Sequence, residues 1–228
     1  RGVYWTELPW TRGERVQDLA VDALDRLFAV TPAAIYRSDD HGDTAASVNN
    51  DLPDPSPELV VAGGPQNDVF VYQGGSAPGV YRSTDGGESW TAAGLAGESL
   101  TDLAIGPSGV LLAVAGDSGA HLSTDHGDTW TSVGLASMDS VAAAVNSAGH
   151  LFVAARRGGV LRSVDNGQTW EHTGLASNVI ETLQAGNNGH IFAGTNAGVY
   201  RAQSVIANGS ISGTVTLLGA RGMTDVEL

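Results

Sequence analysis

Cysteine is absent from the 228 residues. Disulfides, thiolate catalysis and cysteine-bound zinc are therefore excluded, and the redox compartment leaves no mark on the chain. Lysine is absent too. All 11 basic residues are arginine, set against 25 acidic ones, and the formal net charge is −14. A grip on nucleic-acid phosphates needs many cations, so no nucleic-acid partner is expected. No run approaches the roughly 18 apolar residues of a membrane-spanning helix, and no membrane insertion is expected. Nor does any stretch carry the apolar period of a long amphipathic helix. P-loop, H-E-x-x-H and G-x-S-x-G patterns are all missing. Glycine-rich pieces lack the strand–turn–helix setting of a phosphate site. No cofactor and no metal are expected.

What the chain has is glycine, 31 residues of it, and a 42% hydrophobic share that supplies a core. It also has a repeat. "STDGGESW" (Ser83–Trp90), "STDHGDTW" (Ser123–Trp130) and "SVDNGQTW" (Ser163–Trp170) all fit S-x-D-x-G-x-x-W. "SDDHGDTA" at Ser38–Ala45 keeps the serine, aspartate and glycine and loses the tryptophan. Two Asp, a His and hydroxyls within eight residues suggest a metal loop, a catalytic cluster or a turn. The His126 position is Gly86 in one copy and Asn166 in another, which favours the turn. The side chains of Ser38 and Asp40, Ser83 and Asp85, Ser123 and Asp125, and Ser163 and Asp165 can bond turn amides. Gly42, Gly87, Gly127 and Gly167 supply positive φ or room. Trp90, Trp130 and Trp170 bury their rings against a neighbour.

The repeat spacing near 40 residues points to a propeller or solenoid. Short apolar, β-prone runs split by Gly and Asn turns read as four strands per unit. Second strands begin near Leu27, Val69, Leu111, Leu151 and Ile191, which counts five units. The expected fold is all-β, a β-propeller of five four-stranded blades, with the arc of a larger propeller as the alternative. Fourth strands are one short. "GVYWT" at Gly2–Thr6 aligns with the end of the repeat, so Trp5 is expected to start the missing strand and pair with residues 180–202. Residues 1–203 then form the propeller and 204–210 a linker. Residues 211–228 form the start of a further domain. Asn208-Gly209-Ser210 fits a glycosylation triplet.

S-x-D-x-G-x-x-W resembles the Asp-box, or bacterial neuraminidase repeat, of sialidases, two-propeller xyloglucanases, sortilin-type receptors and photosystem assembly factors. The resemblance implies a fold element at the outer edge, away from any active site. "GHIFAGTNAGVYR" (Gly189–Arg201) is similar to periplasmic sensor propellers. The tail "ISGTVTLLGARGMTDVEL" resembles the first strands of a carboxypeptidase-regulatory-like, transthyretin-like sandwich. The sialidase R-I-P signature is absent. Arg37, Arg82, Arg162 and Arg201 recur at one strand position and read as one ion pair per blade. His150 and His190 share another position with no further obvious ligands.

What departs from the repeat is where function is sought. Three segments do so: the loop Asn49–Glu58 with Asp51 and Asp54, the hairpin Gln73–Pro78 with Gln73 and Ser76, and the basic pair Arg156-Arg157. Tyr72, before the hairpin, is expected to offer a stacking ring. All three belong to the end opposite the boxes, where blade connections and second-to-third-strand turns lie. The leading expectation is a non-catalytic binding or structural module of a secreted or cell-surface multidomain protein, its ligand a glycan or a protein. The alternatives are a glycoside hydrolase or lyase using scattered carboxylates such as Asp51, Asp54 and Asp117, and a periplasmic sensor. The acidic, lysine-free surface fits work in high salt, or equally a genome that favours Arg, Ala and Gly.

Overall fold

The computed structural model describes residues 6–11, 13–53, 61–63, 68–186, 189–202 and 216–218, of which 61–63 and 216–218 as backbone. The described strands form five four-stranded antiparallel sheets, the blades of a β-propeller. They fall in two compact units, residues 1–99 and 100–228.

The first unit holds two blades. Blade 1 comprises β1 (Asp18–Val21), β2 (Leu27–Val30), β3 (Ile35–Ser38) and β4 (Ala46–Ser47). Blade 2 comprises β5 (Val61–Gly63), β6 (Val69–Gln73), β7 (Gly79–Ser83) and β8 (Thr91–Ala92). The second unit holds three. Blade 3 is β9 (Asp102–Ile105), β10 (Leu111–Val114), β11 (Ala120–Ser123) and β12 (Thr131–Ser132); blade 4 is β13 (Ser140–Val145), β14 (Leu151–Ala155), β15 (Gly159–Ser163) and β16 (Glu171–Gly174). Blade 5 is β17 (Ile180–Ala185), β18 (Ile191–Thr195), β19 (Gly198–Ala202) and β20 (Thr216–Leu218).

The second strand of a blade has a partner on each edge, and within each unit neighbouring blades pack face to face. A strand covered on both faces reads as an unbroken apolar run. "VFVYQ", "LLAV" and "LFVAA" in β6, β10 and β14 are buried at every residue. Within the first unit, Phe28, Val30 and Ile35 of blade 1 pack on Val69, Val71 and Trp90 of blade 2. Within the second, Leu112 and Val114 meet Val145, Leu151 and Val153 between blades 3 and 4, and Phe152 and Ala154 meet Ile180, Leu183 and Ile191 between blades 4 and 5. Each Val, Leu, Ile or Phe among them contributes about 1.5–3 kcal/mol on burial.

The fourth place of blade 5 differs from the expectation. Val199, Tyr200 and Arg201 pair with Leu218, Leu217 and Thr216, so part of the tail lies on the edge assigned to Trp5. Trp5 itself lies outside the described residues, as do the triplet at 208–210 and most of the tail. The register proposed for the N-terminal segment is nonetheless visible at Leu8. Its side chain lies against Gly42 of the first box, as Val48 lies against Gly87 and Val133 against Gly167.

Candidate functional site

All four boxes have the same internal wiring. The serine Oγ donates to the aspartate Oδ1 at 2.7–2.8 Å and accepts the amide of the box glycine at 2.7–2.8 Å. The aspartate accepts an amide on Oδ1 and a hydroxyl on Oδ2 from the residue four places on, which is Thr44, Ser89, Thr129 or Thr169. These bonds favour the ionised form. The hydroxyl acts most, then the amide, then the serine. They hold Asp40, Asp125 and Asp165 down at about 2 and push Asp85 down likewise. Each carboxylate is committed to its own turn and is a poor proton donor near neutrality.

The box also explains why its fourth residue varies. His41, Gly86, His126 and Asn166 all have φ between 58° and 78°. Glycine, asparagine and histidine tolerate that region better than most residues, so backbone conformation rather than ligand chemistry selects them. The following glycine also has positive φ, and a Cβ on Gly87 or Gly167 would stand 2.9 Å or 2.6 Å from the valine of the preceding blade. The tryptophan completes the joint. Trp90 Nε1 donates to the Val48 carbonyl at 2.6 Å, and Trp170 Nε1 to the Val133 carbonyl at 3.0 Å. The box is thus a staple between consecutive blades.

The recurring arginines are also consumed by structure in three of four cases. Arg37 bonds the Gly86 carbonyl at 2.7 Å and pairs with Asp39 and Glu88. Arg82 pairs with Asp68 at 3.0 Å, and Arg162 with Glu171 at 3.3 Å. Arg162 Nη2 also lies 3.3 Å from His150 Nδ1. Burial, then the guanidinium, lowers the His150 pKa, so its ring serves as a neutral acceptor. Arg201 has no ion pair among the described residues. Among those residues, no three His, Asp or Glu side chains converge as a metal site would require.

The candidate binding residues divide. Ser76 is exposed in the β6–β7 turn, and Asp51 is exposed with φ 66°. Asp54 lies outside the described residues. Tyr72 and Gln73 do not reach solvent: they are 3% and 0% exposed, and the Tyr72 hydroxyl donates to the Glu98 carbonyl at 3.2 Å. The strand runs one residue further than the hairpin pattern suggests, which carries Gln73 into the covered sheet. The stacking ring expected of Tyr72 is turned into the protein. Arg156 and Arg157 are exposed in the β14–β15 turn. Arg156 reaches towards Asp139, just before β13, at 3.5 Å and towards Glu181 of β17 in blade 5 at 3.6 Å. Arg157 makes no ion pair among the described residues. Asp117 is exposed in the corresponding turn of blade 3. In each blade concerned, these turns join second and third strands, whereas the box joins third and fourth. They therefore occupy opposite ends of their own blades.

One feature has no counterpart in the repeat pattern. An apolar groove of about 30 Å³ opens between blades 4 and 5, walled by Phe152, Leu175, Leu183, Ile191, Tyr200 and Arg201. Sequence reasoning missed it. The signal was the substitution of the box serine by Ala202, aligned through Leu151–Ser163 and Ile191–Ala202, with no box after it.

The repeats and the blades have known relatives. The model of the BNR/Asp-box repeat matches residues 81–92. No curated protein matches the chain. Among solved structures, YCF48 from Cyanidioschyzon merolae is 15% identical, with 90% of this chain and 71% of that one covered and a TM-score of 0.65. A YCF48 structure bound to D1 peptide is 18% identical over 88% of this chain and 66% of that one, at 0.62. An inactive variant of virginiamycin B lyase from Staphylococcus aureus, solved with quinupristin, is 17% identical over 93% and 79%, at 0.67. The Niastella koreensis GH74 enzyme is 18% identical over 90% and 35%, at 0.68. At such identities the likeness concerns the fold. Box wiring, blade topology and repeat match agree: the chain is an Asp-box β-propeller.

Proposed function

We propose that the chain is a non-catalytic binding module of a secreted or cell-surface protein, and that it captures a protein or glycan through turns opposite the boxes. The observation that carries the reading is where the polar chemistry is spent. Every box aspartate is committed to its own turn and three of the recurring arginines to ion pairs. Arg157 is left without an ion pair among the described residues, on an exposed turn that breaks the repeat. Surface turns on a rigid scaffold are where binding residues concentrate. A cation on an otherwise acidic surface gives such a site orientation as well as affinity. The structural neighbours show that this fold accommodates a peptide, as in YCF48, and also enzymes, as in the GH74 protein.

The test is a screen of the immobilised chain on glycan and peptide arrays, repeated with Arg157→Ala. Capture by the parent chain that falls with Arg157→Ala supports the reading. Capture indifferent to it, or turnover of a polysaccharide by the parent chain, would move the protein to another class.

A further inference from the structure

The groove between blades 4 and 5 lies where the other joints hold a tryptophan. In blade 2 the box indole sits among Val48, Val69 and Val71 and donates to the Val48 carbonyl. In blade 4 it packs, like Val133 and Leu135, against the core between blades 3 and 4 and donates to the Val133 carbonyl. The residues that correspond to Val133 and Leu135 in the next repeat are Thr173 and Leu175, and both line the groove. Blade 5 carries no box and so brings no tryptophan to this joint. Its lining is mostly apolar, as at the sister joints. Only Thr173, Tyr200 and Arg201 among the lining side chains carry polar atoms.

Arg201 supplies the second feature. It faces Phe192 across the strand pair, as Arg82 faces Phe70 and Arg162 faces Phe152. The acids that serve those two arginines have no equivalent in blade 5. Asp68, which precedes β6, corresponds to His190, which precedes β18. Glu171, which pairs in register with Arg162, corresponds to Thr216, which pairs with Arg201. The cation is retained and both carboxylates are lost. Arg201 has no ion pair among the described residues, whereas Arg82 and Arg162 each have one.

We propose that this groove binds a peptide segment of a partner protein that presents an aromatic side chain next to a carboxylate. The ring takes the place that the box indole holds in the sister joints. The carboxylate replaces the acid that Arg82 and Arg162 find within the chain. A sugar supplies neither the apolar thickness nor, unless acidic, the charge. The site lies on the flank between two blades and does not depend on the role of the turns.

The probe is a fluorescein-labelled heptapeptide with a central Trp-Glu pair in Gly-Ser flanks, followed by fluorescence polarisation. Controls carry Ala-Glu and Trp-Gln. Binding of the Trp-Glu peptide, at least about tenfold tighter than either control, is expected, because a hydrogen bond to a charged group is worth that much. Arg201→Gln should weaken it by a similar factor while Arg201→Lys restores part of it, with unchanged circular dichroism for both. N-acetyl-tryptophan amide should compete weakly. Absence of binding, as would follow if the chain's own residues fill the groove, overturns the proposal. So does binding insensitive to the carboxylate or to Arg201→Gln. Failure of the array screen with success here, or the reverse, separates this site from the turns.

Discussion

Trp90 is the joint where the staple is most buried, and its removal can be valued. The side chain is 5% exposed. Its Nε1–H satisfies the carbonyl of Val48, itself a buried residue of the preceding blade, at 2.6 Å. Truncating a buried tryptophan to alanine costs about 3–5 kcal/mol through lost transfer energy and the cavity left. Leaving a buried carbonyl without a donor costs about 1–3 kcal/mol, and the two terms overlap because water can enter the larger cavity. Trp90→Ala should therefore lose about 4–6 kcal/mol, a large part of the roughly 5–15 kcal/mol that holds a typical domain. Trp90→Phe keeps most of the apolar surface and loses the donor, so about 1.5–3 kcal/mol is expected. Urea unfolding followed by circular dichroism gives both values, with the slope reporting whether the transition stays two-state. If Trp90→Phe costs nothing measurable and Trp90→Ala less than about 1.5 kcal/mol, the indole is not a staple.

The remaining expectations concern the box, the backbone and the charge. The carboxyls of Asp40, Asp125 and Asp165 are held at about 2 in the fold against 3.8 as reference, so their stabilisation is present above about pH 4 and is lost as pH falls towards 2. In Asp125→Asn the melting temperature should fall at pH 7 and depend less on pH between 4 and 2, and an unchanged profile would show that the bonds do not stabilise. Gly167→Ala combines positive φ with a Cβ 2.6 Å from Val133, and should cost more than the roughly 1 kcal/mol of strain alone; a melting temperature within error of the parent would refute the close approach. At a net charge of −14, molar KCl should raise the melting temperature by screening self-repulsion, and a flat response would remove the high-salt argument.

Blade count and strand positions were legible because covered strands announce themselves. β2, β6, β10, β14 and β18 start at Leu27, Val69, Leu111, Leu151 and Ile191, where the apolar runs start. The box was legible as a turn because its variable residue tolerates only a backbone constraint. Pairing between distant segments was not. Nothing in "TLL" at 216–218 says that it lies beside β19, since any short β-prone run can take an open edge. Gln73 reads as a hairpin residue because a glutamine before Gly-Gly looks like the end of a strand, and Tyr72 as an exposed ring beside it, yet both are buried. The groove was invisible because it follows from a missing residue seen against its sister joints. Of the seven candidate residues, Asp51, Ser76, Arg156 and Arg157 are exposed, Tyr72 and Gln73 are buried, and Asp54 lies outside the described residues.

The central claim is that the repeated polar chemistry is scaffold and that the turns at the other end of the blades do the binding. Hydrogen–deuterium exchange with and without the strongest ligand from the array screen tests it directly. The account predicts slowed exchange in the turn at 156–158 and no change in the box turns at 83–90, 123–130 and 163–170. Protection confined to the box turns, with the opposite turns unaffected, would contradict it.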